Sequence, residues 1–175
     1  MNDMVQLIEP IIPALRRYAR GLVRDRSAAD DLVQDCLERA VGHWHQRRAD
    51  GNPRSWMFAI LHNLAVNRFR GQKRRPVHIE IDEAAEPDVA RTANQEQTVE
   101  VRDILRCVDQ LPEEQRSVLL LIAVEDLSYA QAAEVLGIPL GTVMSRLSRA
   151  RNRLIELMDG AATEQLSKPF LRRVK

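Results

Sequence analysis

Three observations predict an all-α protein of two small helical domains joined by a flexible acidic linker, the second domain a helix-turn-helix. Apolar residues recur every three or four positions through most of the chain, the spacing of an amphipathic helix. No segment of any length alternates with the period of a strand, and aromatics are only 4% of residues, against abundant Leu, Ala, Arg and Glu. Between Ile79 and Glu100 large apolar residues become rare and acids collect. These features divide the chain into a first domain at 8–75, a linker at 76–97, a second domain at 98–160 and a basic tail at 161–175.

In the first domain Leu15, Tyr18 and Leu22 mark a helix from about residue 10 or 13 to 24. Ser27 precedes Asp30 by three residues, a capping-box-like start for the next helix. Leu32, Val33, Cys36, Leu37, Ala40, Val41 and Trp44 form its apolar stripe, while Asp30, Asp31, Gln34, Asp35 and Glu38 fall on other faces. The segment 42–53 reads as a loop, broken most strongly at Gly51-Asn52-Pro53. A third helix, 53–69, is apolar nearly all round at Trp56, Met57, Phe58, Ile60, Leu61 and Leu64. It ends in a basic run of Arg68, Arg70, Lys73, Arg74 and Arg75. Between Ile79 and Glu100, Glu80, Asp82, Glu83, Glu86, Asp88, Glu96 and Glu100 face only Arg91, a composition that favours an acidic, mobile linker.

The second domain opens with a helix bearing Val101, Ile104, Leu105 and Val108. Pro112 starts another, with Glu113 and Glu114 in the first turn, where the helix dipole favours acids. Val118, Leu119, Leu121 and Ile122 give that helix a wide apolar face. Ser128-Tyr129-Ala130-Gln131 is a capping box for a short helix, and Gly137 suits the left-handed residue that ends it. After Ile138-Pro139 comes a long helix with Val143, Leu147, Ala150 and Leu154 as its core stripe.

The composition excludes several classes of protein. Cys36 and Cys107 are too few and too far apart for a zinc site or disulfide framework and read as buried free thiols. No apolar run reaches the ~18 residues of a membrane span, and Met1 to Gln6 shows no signal-peptide pattern. A cytoplasmic location without membrane insertion is the expectation. The net charge of +1 is uninformative, but its distribution is not.

Three surfaces stand out. The last helix carries Arg146, Arg149, Arg151 and Arg153 with no acid between Leu140 and Ile155. Burial of its stripe leaves Met144, Ser145, Ser148, Arg149 and Asn152 for a major groove, where Arg reads guanine and Ser bonds bases or phosphates. The third helix combines its basic end with Trp56, Asn63 and Asn67, types that stack on or bond unpaired bases. Asp30, Asp31, Leu32, Val33, Gln34 and Asp35 form an acidic and apolar segment that DNA would repel. Charge alone leaves that segment open between a protein-docking face and a merely solubilising one.

Taken together these segments resemble the extracytoplasmic-function (group IV) sigma factors. Ala29-Asp30-Asp31-Leu32-Val33-Gln34-Asp35 is similar to the family's region 2.2, and the eleven residues from Pro53 to Asn63 are similar to regions 2.3 and 2.4. Leu111-Pro112-Glu113-Glu114-Gln115-Arg116 is similar to region 4.1, and the eleven residues from Gly137 to Leu147 to region 4.2. The order and spacing hold over roughly 15–157.

The resemblance implies an alternative sigma factor that binds core RNA polymerase, recognises −10 and −35 promoter elements and is held by an anti-sigma factor. It implies polymerase docking at Asp30, Asp31, Leu32, Val33, Gln34 and Asp35. It implies −10 recognition by the 42–53 loop with Trp56, Asn63, Asn67, Arg68 and Arg70. It implies −35 recognition by Met144, Ser145, Arg146, Ser148, Arg149 and Arg153. The linker would thread toward the RNA exit path, and the active factor would be associated with the nucleoid. Two departures are visible: Val41 stands where a Trp is common, and Met144 stands where many members have a basic residue. The tail, basic at Lys168, Arg172, Arg173 and Lys175, matches no part of the family pattern.

Two other readings compete. A simple helix-turn-helix regulator would account for 128–154 but not for the first-domain segments, and would bind palindromic duplex unaided. An enzyme would need His43, His45 and Asp50 to converge, yet no third ligand, phosphate loop or nucleophile motif accompanies them. The expectation is therefore no catalytic residue, no cofactor, no metal and no small-molecule substrate.

Overall fold

The structure is a computed structural model that describes the backbone of residues 2–48, 50–74 and 95–167, and the side chains of 3–48, 50–71 and 101–160. The linker as far as residue 94, the tail beyond 167 and the side chains of Lys73, Arg74 and Arg75 lie outside the described residues. Every regular element among the described residues is helical.

The first unit contains α1 (Asn2–Ile8), a 3-10 turn (Glu9–Ile11), α2 (Ile12–Leu22), α3 (Arg26–Gly42), a second 3-10 turn (Trp44–Gln46) and α4 (Pro53–Arg74). Helix α2 ends two residues before the sequence-based limit, because Val23 is already extended at ψ 135°. The cap of α3 is Asp25 rather than Ser27. Its carboxylate accepts from the backbone N–H of Ser27 at 2.7 Å and of Ala28 at 3.2 Å. A carboxylate there satisfies orphan donors and meets the positive end of the helix dipole. Leu15, Tyr18 and Leu22 of α2, Cys36 of α3 and Met57, Phe58 and Leu61 of α4 build the core. Tyr18 and Phe58 meet edge to face at 5.3 Å. The Cys36 thiol donates to the Met57 carbonyl, and burial pushes its pKa up to about 12, so it stays an inert thiol. Val41 is a correction to the predicted stripe: it is 52% exposed, since the buried edge of α3 runs through Ala28, Ala29, Leu32, Val33, Cys36 and Ala40.

The second unit contains α5 (Gln95–Asp109), α6 (Glu113–Leu119), a π-helical turn (Leu120–Val124), α7 (Tyr129–Leu136) and α8 (Leu140–Ser167). Among the described side chains of α5, Cys107 is buried, whereas Val101, Ile104 and Leu105 of the predicted apolar stripe are exposed. After the π-turn, Asp126 adopts a left-handed φ of 55°, and the N–H of Leu127 bonds back to the Leu121 carbonyl at 2.9 Å. Asp tolerates that conformation better than most residues. The wide turn and the reversal together place Glu125 inside the molecule rather than on its surface.

There Glu125 joins the two units. Its side chain is fully buried. Arg17 of α2 donates to it twice, Nε to Oε1 at 3.1 Å and Nη2 to Oε2 at 3.0 Å. Arg54 of α4 donates from Nη2 to the Glu125 carbonyl at 2.6 Å and to Oε2 at 3.4 Å. Arg24 reaches the Asp109 carbonyl at 2.9 Å. Gly21 faces Leu120 so closely that a Cβ would sit 2.6 Å from Leu120 Cδ1. Buried residues of both units accordingly form one continuous core.

His62 lies in the same seam, with Nδ1 3.1 Å from the Tyr18 hydroxyl. Burial, helped by the positive charge of Arg146, lowers its pKa to about 4. The unfolded chain therefore binds more protons than the folded one between pH ~6.5 and the folded value. The His62 contribution is complete above that window and is lost as pH falls through it, at no more than about 1.4 kcal/mol per pH unit. Urea denaturation from pH 7.5 to 5 should show the wild type losing more stability than His62→Asn; equal loss in both would contradict a neutral buried imidazole.

Candidate nucleic-acid interface

Helices α7 and α8 form the predicted helix-turn-helix. The capping box is present in both directions: Gln131 N–H donates to Ser128 Oγ at 3.2 Å, and Ser128 N–H donates to Gln131 Oε1 at 2.9 Å. Gly137 takes φ 63°, a left-handed value that a glycine meets without a Cβ penalty. The Ile138 N–H closes the turn on the Ala133 carbonyl at 3.1 Å. Val143, Leu147 and Ala150 are buried and Leu154 is half-buried, so α8 docks by the stripe read from the sequence.

That docking exposes Met144, Ser145, Ser148, Arg149 and Asn152. Arg149 is steadied from its own helix, with Nε 3.2 Å from the Ser145 carbonyl and Nη2 3.4 Å from Ser145 Oγ. Arg153 meets Glu156 at 3.4 Å in an exposed pair, a contact weak enough to yield to a stronger anion. Arg146, expected among the −35 contacts, is engaged within the protein. Its Nη2 lies 2.9 Å from Glu114 Oε2 and its side chain is 21% exposed, so it ties α8 to α6.

On α4, Trp56, Asn63, Asn67 and Arg70 are spaced seven, four and three residues apart and share one helix face. Asn63, Asn67 and Arg70 are exposed, whereas Arg68 is half-buried and lies off this stripe. Trp56 is half-buried because Trp44 stands edge-on to it, 5.9 Å away at 74°. Arg47 stacks 4.9 Å over Trp44 and donates to the Gly51 carbonyl at 2.8 Å. Asn52 begins α4, accepting from the Arg54 N–H at 2.9 Å. The 42–53 loop is thus a built structure. Sequence reasoning found its Gly51-Asn52-Pro53 corner but missed the Trp44–Arg47 clip, whose one signal was an aromatic three residues from a cation.

On α3, Asp30, Asp31, Gln34 and Asp35 are exposed, and Gln34 bonds Glu38 at 3.1 Å. Leu32 and Val33 are corrections to the expected docking surface: at 2% and 3% exposure they belong to the core and cannot meet a partner. The surface is acidic and polar, without an apolar contribution from those two residues. The His43, His45 and Asp50 group does not converge. His43 turns to the Arg39 carbonyl at 3.0 Å, His45 to Gln46 at 3.3 Å, and Asp50 to Arg48 at 3.6 Å. No described helix is long and apolar enough to cross a membrane.

A capped helix-turn-helix with an acid-poor, arginine-bearing second helix, packed on a separate helical unit, defines a helix-turn-helix DNA-binding protein. The comparisons are more specific. Residues 8–62 match the family model described as the Sigma2 domain of PhyR, and residues 101–154 match Sigma-70, region 4. The chain is 36% identical over 156 residues to the ECF RNA polymerase sigma factor EcfG of Rhodopseudomonas palustris, covering 86% of this chain and 83% of that protein. It is 35% identical over 144 residues to the ECF sigma factor SigM of Mycobacterium tuberculosis, covering 82% of this chain and 71% of that one. Among solved structures it resembles the sigma factor RpoE of Bartonella quintana, crystallised with the anti-sigma factor NepR. The TM-score is 0.76 and the identity 32%, over 91% of this chain and 98% of that one. The chain belongs to the extracytoplasmic-function family of RNA polymerase sigma factors. It is an alternative sigma factor, directing transcription initiation at particular promoters.

Proposed function

We propose that this sigma factor belongs to group IV and divides its contacts among the three surfaces described above. One observation carries the reading: an acid-free recognition face on α8 and an acidic face on α3 stand on different units of one molecule. Asp30, Asp31, Gln34 and Asp35 dock on core RNA polymerase. Trp56, Asn63, Asn67 and Arg70, with the loop clipped by Arg47, hold the −10 element as single strand, and Arg68 supplies charge nearby. Ser145, Ser148 and Arg149 read the −35 duplex, Arg153 contacts phosphate, and Arg146 keeps α8 oriented through Glu114. The functional units are 8–75 and 98–160, with 76–97 as linker and 161–175 as a basic tail. The factor works in the cytoplasm, at the nucleoid when active, and performs no covalent chemistry. An anti-sigma protein of the kind seen on the Bartonella relative restrains it, in keeping with a role in stress response.

The shared core supports a further part of this reading, that the packed arrangement is a resting form. The −10 and −35 elements are about 25 base pairs apart, roughly 85 Å of duplex at ~3.4 Å per pair. Helix α8, the longest at 28 residues, extends only about 42 Å. Separation of the units would let the α4 and α8 surfaces reach elements that far apart on one duplex.

Core polymerase should bind Asp31→Arg/Gln34→Arg at least about ten-fold more weakly (~1.4 kcal/mol) while the variant's circular dichroism is unchanged. Undiminished co-purification would remove the α3 face from the docking site. On a randomised −35 library, Arg149→Ala should change the preferred sequence, a loss of ~1–3 kcal/mol at one position. Arg153→Ala should preserve the ranking and reduce the salt slope by about one unit. An unaltered preference in Arg149→Ala would mean that α8 enters the groove in another orientation. Dyes on exposed residues 16 and 134 should move apart when core polymerase and promoter are added, and Arg17→Ala should raise the separated fraction of free protein. A distance unchanged by polymerase would rule out the resting-form reading.

A further inference from the structure

Met144 interrupts an otherwise polar reading surface. It is 47% exposed on the first turns of α8, although burying a Met side chain is favourable. It stands beside Tyr129, which is 37% exposed at the start of α7. With Leu147, Ser148, Arg151 and Asn152 they line one shallow open hollow at the helix-turn-helix surface. Its lining combines a thioether, a phenol ring and a buried leucine with a hydroxyl, an amide and a guanidinium. Arg151 follows Met144 by seven residues and so lies on the same side of α8, two turns along.

We propose that Met144 is a specificity-determining residue that reads the C5-methyl group of a thymine in the −35 element. The proposal rests on the sigma-factor reading above and adds the chemistry of one base contact. In the major groove, adenine, guanine and cytosine present only hydrogen-bonding groups at the base edge, whereas thymine adds a methyl group. A thioether has no donor for a ring nitrogen or carbonyl and is only a weak acceptor for an amino group, so those edges would lose water without an equivalent bond. A methyl group loses nothing there and gains polarizable contact, to which an unbranched Met can adjust. Arg151, on the same side, is suited to the adjoining phosphate, which holds the backbone at a distance that lets the methyl reach the hollow.

The test uses full-length protein with core polymerase. A promoter is first selected by the wild type from a −35 library. Each thymine of that element, on either strand, is then replaced by uracil, which removes the methyl group alone. One position should show about a four-fold loss of promoter binding, the equivalent of one buried methyl group. Met144→Ala should abolish the difference between thymine and uracil there and relax the library at that position, while Met144→Leu keeps both. Methyl sensitivity that survives in Met144→Ala, or its absence at every position in the wild type, overturns the assignment. So does a Met144→Ala variant that selects the same promoters but releases its anti-sigma partner, since the hollow would then be a protein seat. If the wild-type holoenzyme selects no −35 sequence at all, the sigma-factor reading fails with it. A selected but methyl-indifferent element removes only the Met144 contact.

Discussion

A carboxylate removed from water must find its charges elsewhere, and Glu125 finds them on the opposite unit. The side chain has no exposed surface, and its partners are the forked donors of Arg17 and the single reach of Arg54. Much of the molecule serves that arrangement. The π-turn and the left-handed Asp126 turn the residue inward, and Gly21 lets Leu120 close over α2. A buried ion pair is poor evidence for stability, since desolvation offsets most of the attraction. What this one supplies is register, because a carboxylate buried without those guanidinium groups would be strongly unfavourable. Separating the units, as proposed, would return Glu125 to water, and the recovered hydration would offset part of the lost attraction, while the apolar surface of the shared core would be exposed.

Local order was legible in the sequence, and long-range order was not. The capping box at Ser128, the left-handed Gly137 and the stripe through Val143, Leu147 and Ala150 are each set by residues within a turn or two, so patterns expose them. Arg17, Arg54 and Glu125 are separated by up to 108 positions and carry no periodicity, so nothing in the pattern pairs them. The errors at closer range have local causes. Asp25 and Ser27 are both competent caps two residues apart, and the stronger acceptor took the role. Leu32 and Val33 were assigned both to the core stripe and to the docking face, and a side chain can serve only one. Arg146 looked like another free cation of the recognition helix until α6 brought Glu114 beside it.

The net charge of +1 conceals a separation of charge that matches the separation of tasks. Helix α3 presents Asp30, Asp31 and Asp35 to solvent, while α8 presents Arg149, Arg151 and Arg153. At physiological salt, fields from exposed charges decay over ~8 Å. Two surfaces on different helices can therefore select partners of opposite sign with little mutual interference. Two acids stand at the edge of the basic surface, and each is paired there: Glu114 with Arg146 and Glu156 with Arg153.

Arg54 connects the seam to the surface proposed for the −10 element. It stands two residues before Trp56 at the start of α4, stacks 5.6 Å from the Phe58 ring and gives its Nη2 to Glu125. In the packed form its half-exposed guanidinium is paired with that carboxylate. On the proposed separation of the units, the same guanidinium would lose that partner beside the loop clipped by Arg47, at the start of α4 where Trp44 stands edge-on to Trp56. Opening of the kind proposed would then increase the cationic charge at the surface proposed for the single strand. Phosphate binding and unit separation would thereby favour each other, because each draws on the same side chain. Reciprocity of linkage requires that a nucleic acid held at α4 weaken the seam as much as the seam weakens its binding.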